Sequence, residues 1–272
     1  MIYSIFEQTL IMLPLVFGGY LTLSLLKLPD FSVESAFLFG AVAAFLAREL
    51  SLPIVLLSAI GGGMVVGCTV TFLNQFLHIP YLIAAIITNG LFHGLTQYAL
   101  GTSVASFHLP QAINEVQLAL AIAIALVTFL FFALKTEAGM SLAIFGNNPA
   151  FFANHNMSGR FVVIFGVLLG HALAGISGFL FALSNGFVDL TMNFGILLLS
   201  LSALMLGKLA LKRAKPAIIV PILGVIAFFV MQQLLLHLGM NLKYYNAFQA
   251  IFVLLVLYFG NKQKKCFDLL GV

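Results

Sequence analysis

Long uncharged apolar runs constrain this chain more than any other feature. Residues 53–74 and 161–183 contain no Asp, Glu, Lys or Arg at all. A helix that crosses the hydrocarbon core of a bilayer needs about 20 such residues. Charged residues make up 7% of the chain, against roughly 25% in soluble domains. So few charges cannot cover a water-facing surface of this size, and the chain reads as an integral membrane protein. Its apolar stretches are continuous, and they include many of the 28 Phe. Strands of a membrane barrel would instead alternate polar and apolar residues. The expected fold is therefore all-α, a polytopic transmembrane helical bundle.

Nine spans are expected, at about 3–25, 33–47, 53–74, 80–100, 115–134, 161–183, 192–207, 216–238 and 244–260, two of them (33–47 and 192–207) short. The start, MIYSIFEQTL, has no basic region ahead of its apolar run and carries Glu7, so it reads as the first span and not as a cleavable leader. If the segment from Lys135 to Arg160 is cytoplasmic and sides alternate, ten basic residues fall inside: Lys27, Lys135, Arg160, Lys208, Lys212, Arg213, Lys215, Lys262, Lys264 and Lys265. Two, Arg48 and Lys243, fall outside. The positive-inside rule then puts the N-terminus outside and the C-terminus in the cytoplasm. It also explains the pI of about 9.1 by topology, so no nucleic-acid partner is expected. The partner along the spans is membrane lipid.

The whole chain, 1–272, is expected to be one transmembrane domain with a long cytoplasmic loop at about 136–160. Residues 136–145 suit a helix, which Gly146 can end, because glycine takes the left-handed C-cap conformation without penalty. Asn148 followed by Pro149 reads as a cap and a first helical position. A short helix at about 149–155 would come next, closed by Asn156, since asparagine tolerates positive φ. The alternative is an irregular connector.

Polar groups inside the spans are the candidate functional residues, because a charge at mid-bilayer costs about 2.5–3.5 kcal/mol on insertion scales. Asp30 and Glu34 stand four apart in LPDFSVESAF, in a stretch from Ile2 to Ala47 whose other charges are Glu7 and Lys27. Pro29 disfavours helix before it, and Asp30 or Ser32 can cap a new helix on its other side. The expected picture is a broken helix, a common form of transporter site. Asp30 is either a cap paired with Lys27 at the inner edge or a substrate contact. Glu34 would lie deeper, facing either a substrate ammonium group or a partner subunit.

Asn89, His93 and Gln97 fall on one face of the fourth span, which must turn away from lipid. They either bond neighbouring helices or line a pathway. Asn185, Asp189 and Asn193 also recur at spacing four, at the expected outer end, as a polar gate or an ordinary loop. His171 and His237 read as helix-packing hydrogen bonders. His78, His108 and His155 read as loop or interfacial residues. Gly61, Gly62 and Gly63 sit in an apolar span with no following Lys, so they suit close helix packing and not phosphate binding. Neither Cys68 and Cys266 nor the histidines show metal spacing. No Ser nucleophile motif and no phosphate-binding G-x-x-x-x-G-K-[ST] occurs, so neither an enzyme nor an ATP-binding chain is expected.

The stretch TEAGMSLAIFGNNP, 136–149, resembles the cytoplasmic loop of the permease subunits of ABC importers of the branched-chain amino acid and ribose type. Thr136, Gly139, Gly146, Asn148 and Pro149 match that loop. Ala143 stands where the family has Arg, and Asn156 where it has Gly. LPDFSVESAFLFGA, 28–41, and NGFVDLTMNFGILLLSLSALMLGK, 185–208, are similar to segments of a subgroup of tryptophan or tyrosine uptake permeases. The resemblance covers about residues 10–210. It implies a permease that pairs with a second copy or a paralogue. It also implies two cytoplasmic ATPase subunits that use ATP and Mg, and an extracytoplasmic substrate-binding protein. This chain would bind no cofactor itself. Gly139, Gly146, Asn148, Pro149 and Asn156 would belong to the loop that couples it to the ATPase. The expected function is import of a small polar solute, an amino acid, across a bacterial inner membrane. Two alternatives are a secondary transporter using Asp30, Glu34 and Asp189 as coupling acids and a non-transporting scaffold.

Overall fold

The structure, a computed structural model, describes residues 2–109, 114–155, 158–211, 218–239, 247–251 and 253–254. Helix α1 (Ile2–Gly19) runs on into a π-helical turn, Tyr20–Leu25. In that wide turn the Leu26 N–H reaches back five residues to the Leu21 carbonyl at 3.0 Å. The chain then leaves the helix through Lys27, whose φ of 56° is left-handed. Helix α2 (Val33–Leu46) has 14 residues and so spans about 21 Å, short of the roughly 30 Å hydrocarbon core. The broken helix expected around Pro29 is present.

Helices α3 (Leu52–Gln75) and α4 (Tyr81–Leu100) come next along the chain. Then comes α5 (Glu115–Ala133), whose start is capped by the Asn114 side chain accepting from the Gln117 N–H at 3.2 Å. Helices α6 (Glu137–Asn147) and α7 (Ala150–Asn154) fill the long loop. Helix α8 (Gly159–Asn185) is the longest, followed by α9 (Ile196–Leu211) and α10 (Ile219–His237). Two three-residue strands, β1 (Val104–Ser106) and β2 (Phe187–Asp189), pair antiparallel with Val104 opposite Asp189.

Among the described residues, five helical segments are long and apolar enough to cross a membrane: Ile2–Leu25, α3, α5, α8 and α10. Helices α2 and α9 are apolar but shorter. Helix α4, expected as a span, is not among the five, because Thr88, Asn89, His93, Thr96 and Gln97 interrupt its apolar residues. The span expected at 244–260 lies largely outside the described residues, as do Lys212, Arg213, Lys215, Lys243, Lys262, Lys264, Lys265 and Cys266.

The centre of the bundle is α2 packed between α3 and α8. Small residues set that spacing. A Cβ on Gly63 would collide with the His171 carbonyl, and one on Gly40 with the backbone of Gly175. Close backbone approach of this kind is how membrane helices gain dispersion energy without a hydrophobic driving force. Gly62 and Gly63 therefore act in packing, as expected, whereas Gly61 faces open space. Helix α1 covers the other side of α8, and α9 pairs with α10.

Gly146 corrects one expectation. It does not end α6, which continues to Asn147 with Asn148 as the C-cap. A Cβ at Gly146 would overlap the Leu25 carbonyl. The glycine is required for close approach to the end of the first helix, and not for a left-handed turn. The short helix after Asn148-Pro149 is present as α7, and Asn156 lies outside the described residues.

Candidate functional site

The break between α1 and α2 carries a buried polar cluster. Asp30 is 1% exposed, and Ser32 and His171 are fully enclosed. Asp30 Oδ1 accepts from the Ser32 N–H at 3.0 Å and lies 2.6 Å from Ser32 Oγ. Asp30 Oδ2 accepts from the Tyr81 hydroxyl at 2.6 Å. His171 Nε2 lies 2.9 Å from Ser32 Oγ and 3.7 Å from Asp30 Oδ2. The local sequence explains the start of this arrangement. Asp side chains bond backbone N–H groups two residues on, and Pro29 prevents a helix from running through them. The long-range partners come from elsewhere: Tyr81 opens α4, and His171 sits within α8, where its backbone meets Gly63 of α3.

Asp30 does not pair with Lys27 at an exposed edge. Its partners are Ser32, Tyr81 and His171, and it is enclosed, because α8 and α4 both close over the break. Leaving a buried polar group without its partner costs about 1–3 kcal/mol, whereas a satisfied hydrogen bond contributes only about 0.5–1.5 kcal/mol. The cluster thus fixes geometry more than it adds stability.

Glu34, half-buried one turn further on, accepts the Leu197 N–H at 3.4 Å. That N–H belongs to the first turn of α9, where helical N–H groups lack internal partners and carry partial positive charge. The two short helices therefore meet at their N-termini, with the carboxylate of one capping the other. Ser35 bonds the side chain of Asn89, and this ties α2 to α4.

His93 and Gln97 are exposed on α4, and Cβ atoms at Gly90 and Gly94 would meet nothing. The spacing of Asn89, His93 and Gln97 predicts that all three turn inward together. Only Asn89 does so, because the packed face of α4 runs through Ala84, Ala85, Thr88, Phe92 and Thr96. Asn185, Asp189 and Asn193 do not share a helical face. Asn185 ends α8 and bonds the Phe181 carbonyl at 2.7 Å. Asp189 ends β2 and accepts from the Thr191 N–H and hydroxyl at 2.8 and 2.9 Å. The Asn193 carbonyl accepts from Ile196 N–H at 3.3 Å, at the turn that Gly195 carries into α9 with φ of 82°. These residues shape the descent from β2 into α9.

In the loop, the Thr136 hydroxyl accepts from the Gly139 N–H at 3.4 Å, capping α6. Gly139 packs on the backbone of Ala133 and Leu134, and Gly146 on Leu25. Met140, Ile144, Asn148 and Pro149 stay exposed. The loop is thus anchored on one side to the last turn before the break and is open on the other.

Nothing in the sequence marks Tyr81, Ser32 and His171 as one cluster. Ser32 and His171 are 139 positions apart, and no sequence period links them. Pro80 ahead of Tyr81 signals a helix start but not its neighbour.

Short apolar helices that begin beside a buried Asp30 and a half-buried Glu34 inside a multi-helix bundle are a form common in polytopic membrane transport proteins. The chain belongs to the family of permease components of branched-chain amino acid transport systems, which it matches over residues 1–257. It is 28% identical to a tyrosine transport system permease protein of Clostridioides difficile (strain R20291) over 213 residues, 76% of this chain and 72% of that one. It is 25% identical to an uncharacterized protein of Rickettsia prowazekii (strain Madrid E) over 248 residues, 86% of this chain and 89% of the other. No solved structure gives a significant match.

Proposed function

We propose that this permease is the membrane subunit of an ATP-driven ABC importer for an amino acid. The observation that carries this reading is the loop of α6 and α7. It is clamped by Gly146 onto Leu25, directly before the helix break, and presents Met140, Ile144, Asn148 and Pro149 outward. A cytoplasmic ATPase that binds ATP and Mg would dock on that outward face. Its closure would push on α6, and the push would pass through Leu25 to the break at Asp30 and to the paired ends of α2 and α9. The name of the tyrosine-transport relative supports an amino acid as the solute. Glu34 would receive its ammonium group, and an extracytoplasmic binding protein would deliver it beside β1 and β2.

The exposed polar face of α4, with His93 and Gln97, cannot rest against lipid, because unsatisfied polar groups in hydrocarbon are costly. It would line a path completed by a second copy or paralogue. The setting is a bacterial inner membrane, with the N-terminus outside.

Replacing residues 148–155 with a glycine-serine linker leaves α6 in place and should abolish co-purification with the ATPase. Undiminished association would overturn the coupling assignment. Glu34→Gln should lower uptake at least tenfold in reconstituted vesicles, equivalent to about 1.4 kcal/mol. Normal uptake would return Glu34 to a capping role.

A further inference from the structure

We propose that Asp30, Ser32 and His171 hold one proton between them, forming a buried, net-neutral proton-sharing chain at the break between α1 and α2. The hydrogens available along the contacts require it. His171 Nδ1 lies 2.8 Å from the Val167 carbonyl. A carbonyl only accepts, so Nδ1 carries a hydrogen. His171 Nε2 then lies 2.9 Å from Ser32 Oγ, which lies 2.6 Å from Asp30 Oδ1. The hydroxyl has a single hydrogen to serve both contacts.

If that hydrogen points to Asp30, Nε2 must carry one too, and the trio is a carboxylate, a hydroxyl and an imidazolium. If it points to Nε2, Oδ1 must carry one, and the trio is a carboxylic acid, a hydroxyl and a neutral imidazole. Both arrangements hold one proton more than an ionised Asp30 beside a neutral His171. They interconvert when the Nε2 proton passes to Oγ as the Oγ proton passes to Oδ1, with nothing gained or lost. Without the extra proton, two lone pairs face each other at one of these contacts. An unbalanced negative charge would also sit where all three residues are enclosed, which is far more costly than a neutral unit.

Among the described residues, no other counter-charge is paired with the trio. The titratable groups on the described elements packed around the trio are Tyr3, Glu7, Tyr20 and Lys27 before the break, Glu34 on α2, Cys68 on α3, Tyr81, His93 and Tyr98 on α4, with the last two exposed, and Arg160 at the exposed start of α8. Lys27 makes no ion pair with Asp30, and Glu34 is engaged with the Leu197 N–H. Tyr81 donates to Oδ2, a bond compatible with either arrangement. Helix α3 presents glycines to His171 at Gly63 and Gly67. The proposal concerns protonation alone and stands whether or not the importer reading does.

The test is infrared spectroscopy of the carboxyl groups, with nitrogen NMR of the histidines, on the full chain in lipid nanodiscs at pH 7. Asp30→Asn and His171→Gln difference spectra identify the two signals. In the wild-type protein, either a protonated Asp30 carboxyl or a His171 imidazolium should appear, in amounts summing to one proton. In His171→Gln, the glutamine oxygen can accept from Ser32, and the protonated Asp30 band should account for the whole proton. An ionised Asp30 together with a neutral His171 in the wild-type protein would overturn the proposal. That measurement needs only the wild-type fold, with unfolded or labelled samples as the reference spectra if a variant fails to fold.

Discussion

Tyr81 shows how much one hydroxyl can decide. Its ring is nearly enclosed and its oxygen donates to Asp30 at 2.6 Å. Tyr81→Phe keeps the packing but strands one carboxylate oxygen, a loss of about 1–3 kcal/mol. It should lower the unfolding midpoint in detergent, whereas Tyr98→Phe, at a ring that is 89% exposed, should change stability by no more than about 0.5 kcal/mol. Equal effects would refute the assignment of Tyr81 to the cluster. Sequence reasoning reached Asp30 and Glu34 at this scale, because scarce charges in apolar runs are conspicuous. It could not reach their partners. Lys27 is three positions from Asp30 and was the natural candidate, yet the partner that packing supplies is His171.

At the scale of elements, the break and the glycines carry the architecture. Pro29 and Asp30 made the break legible, and Asn148-Pro149 made α7 legible, because both use local backbone chemistry. Gly146 is ambiguous in sequence for the same reason. A C-cap glycine and a contact glycine look alike in sequence, and only the Leu25 carbonyl beside it distinguishes them. Gly175 gives a direct test of the contact role. An added Cβ there would collide with the Ala59 carbonyl and lie 3.3 Å from Gly63 Cα. Gly175→Ala should destabilise the bundle by about 1–3 kcal/mol through overpacking. Gly61→Ala, into open space, should leave the unfolding midpoint unchanged or slightly raised. The reverse order would mean that α2, α3 and α8 are not in close contact.

For the whole molecule, two contacts fix which connections share a side. Strands β1 and β2 bring the α4–α5 and α8–α9 connections together. Gly146 brings the α5–α8 connection to the end of the first helix. The alternation expected from Lys and Arg likewise puts the members of each pair on one side. In sealed vesicles of a cysteine-free background, Ser103→Cys and Asn147→Cys should therefore react with an impermeant thiol reagent from opposite sides. The proposed orientation puts Ser103 outside. Labelling of both positions from one side would refute the alternation.

The sequence by itself determined that the chain lives in a membrane, that it is helical, where its first helix breaks and which acids are out of place. Those properties come from solvation cost and local backbone geometry, which act over a few residues. Only the tertiary structure decided that Asp30 meets His171 and Tyr81, that Glu34 caps α9, and that His93 and Gln97 face outward from α4. Each depends on which helix faces lie together. Apolar helix surfaces resemble one another in composition, so that choice is made by the close fit of glycines and side chains across the whole bundle.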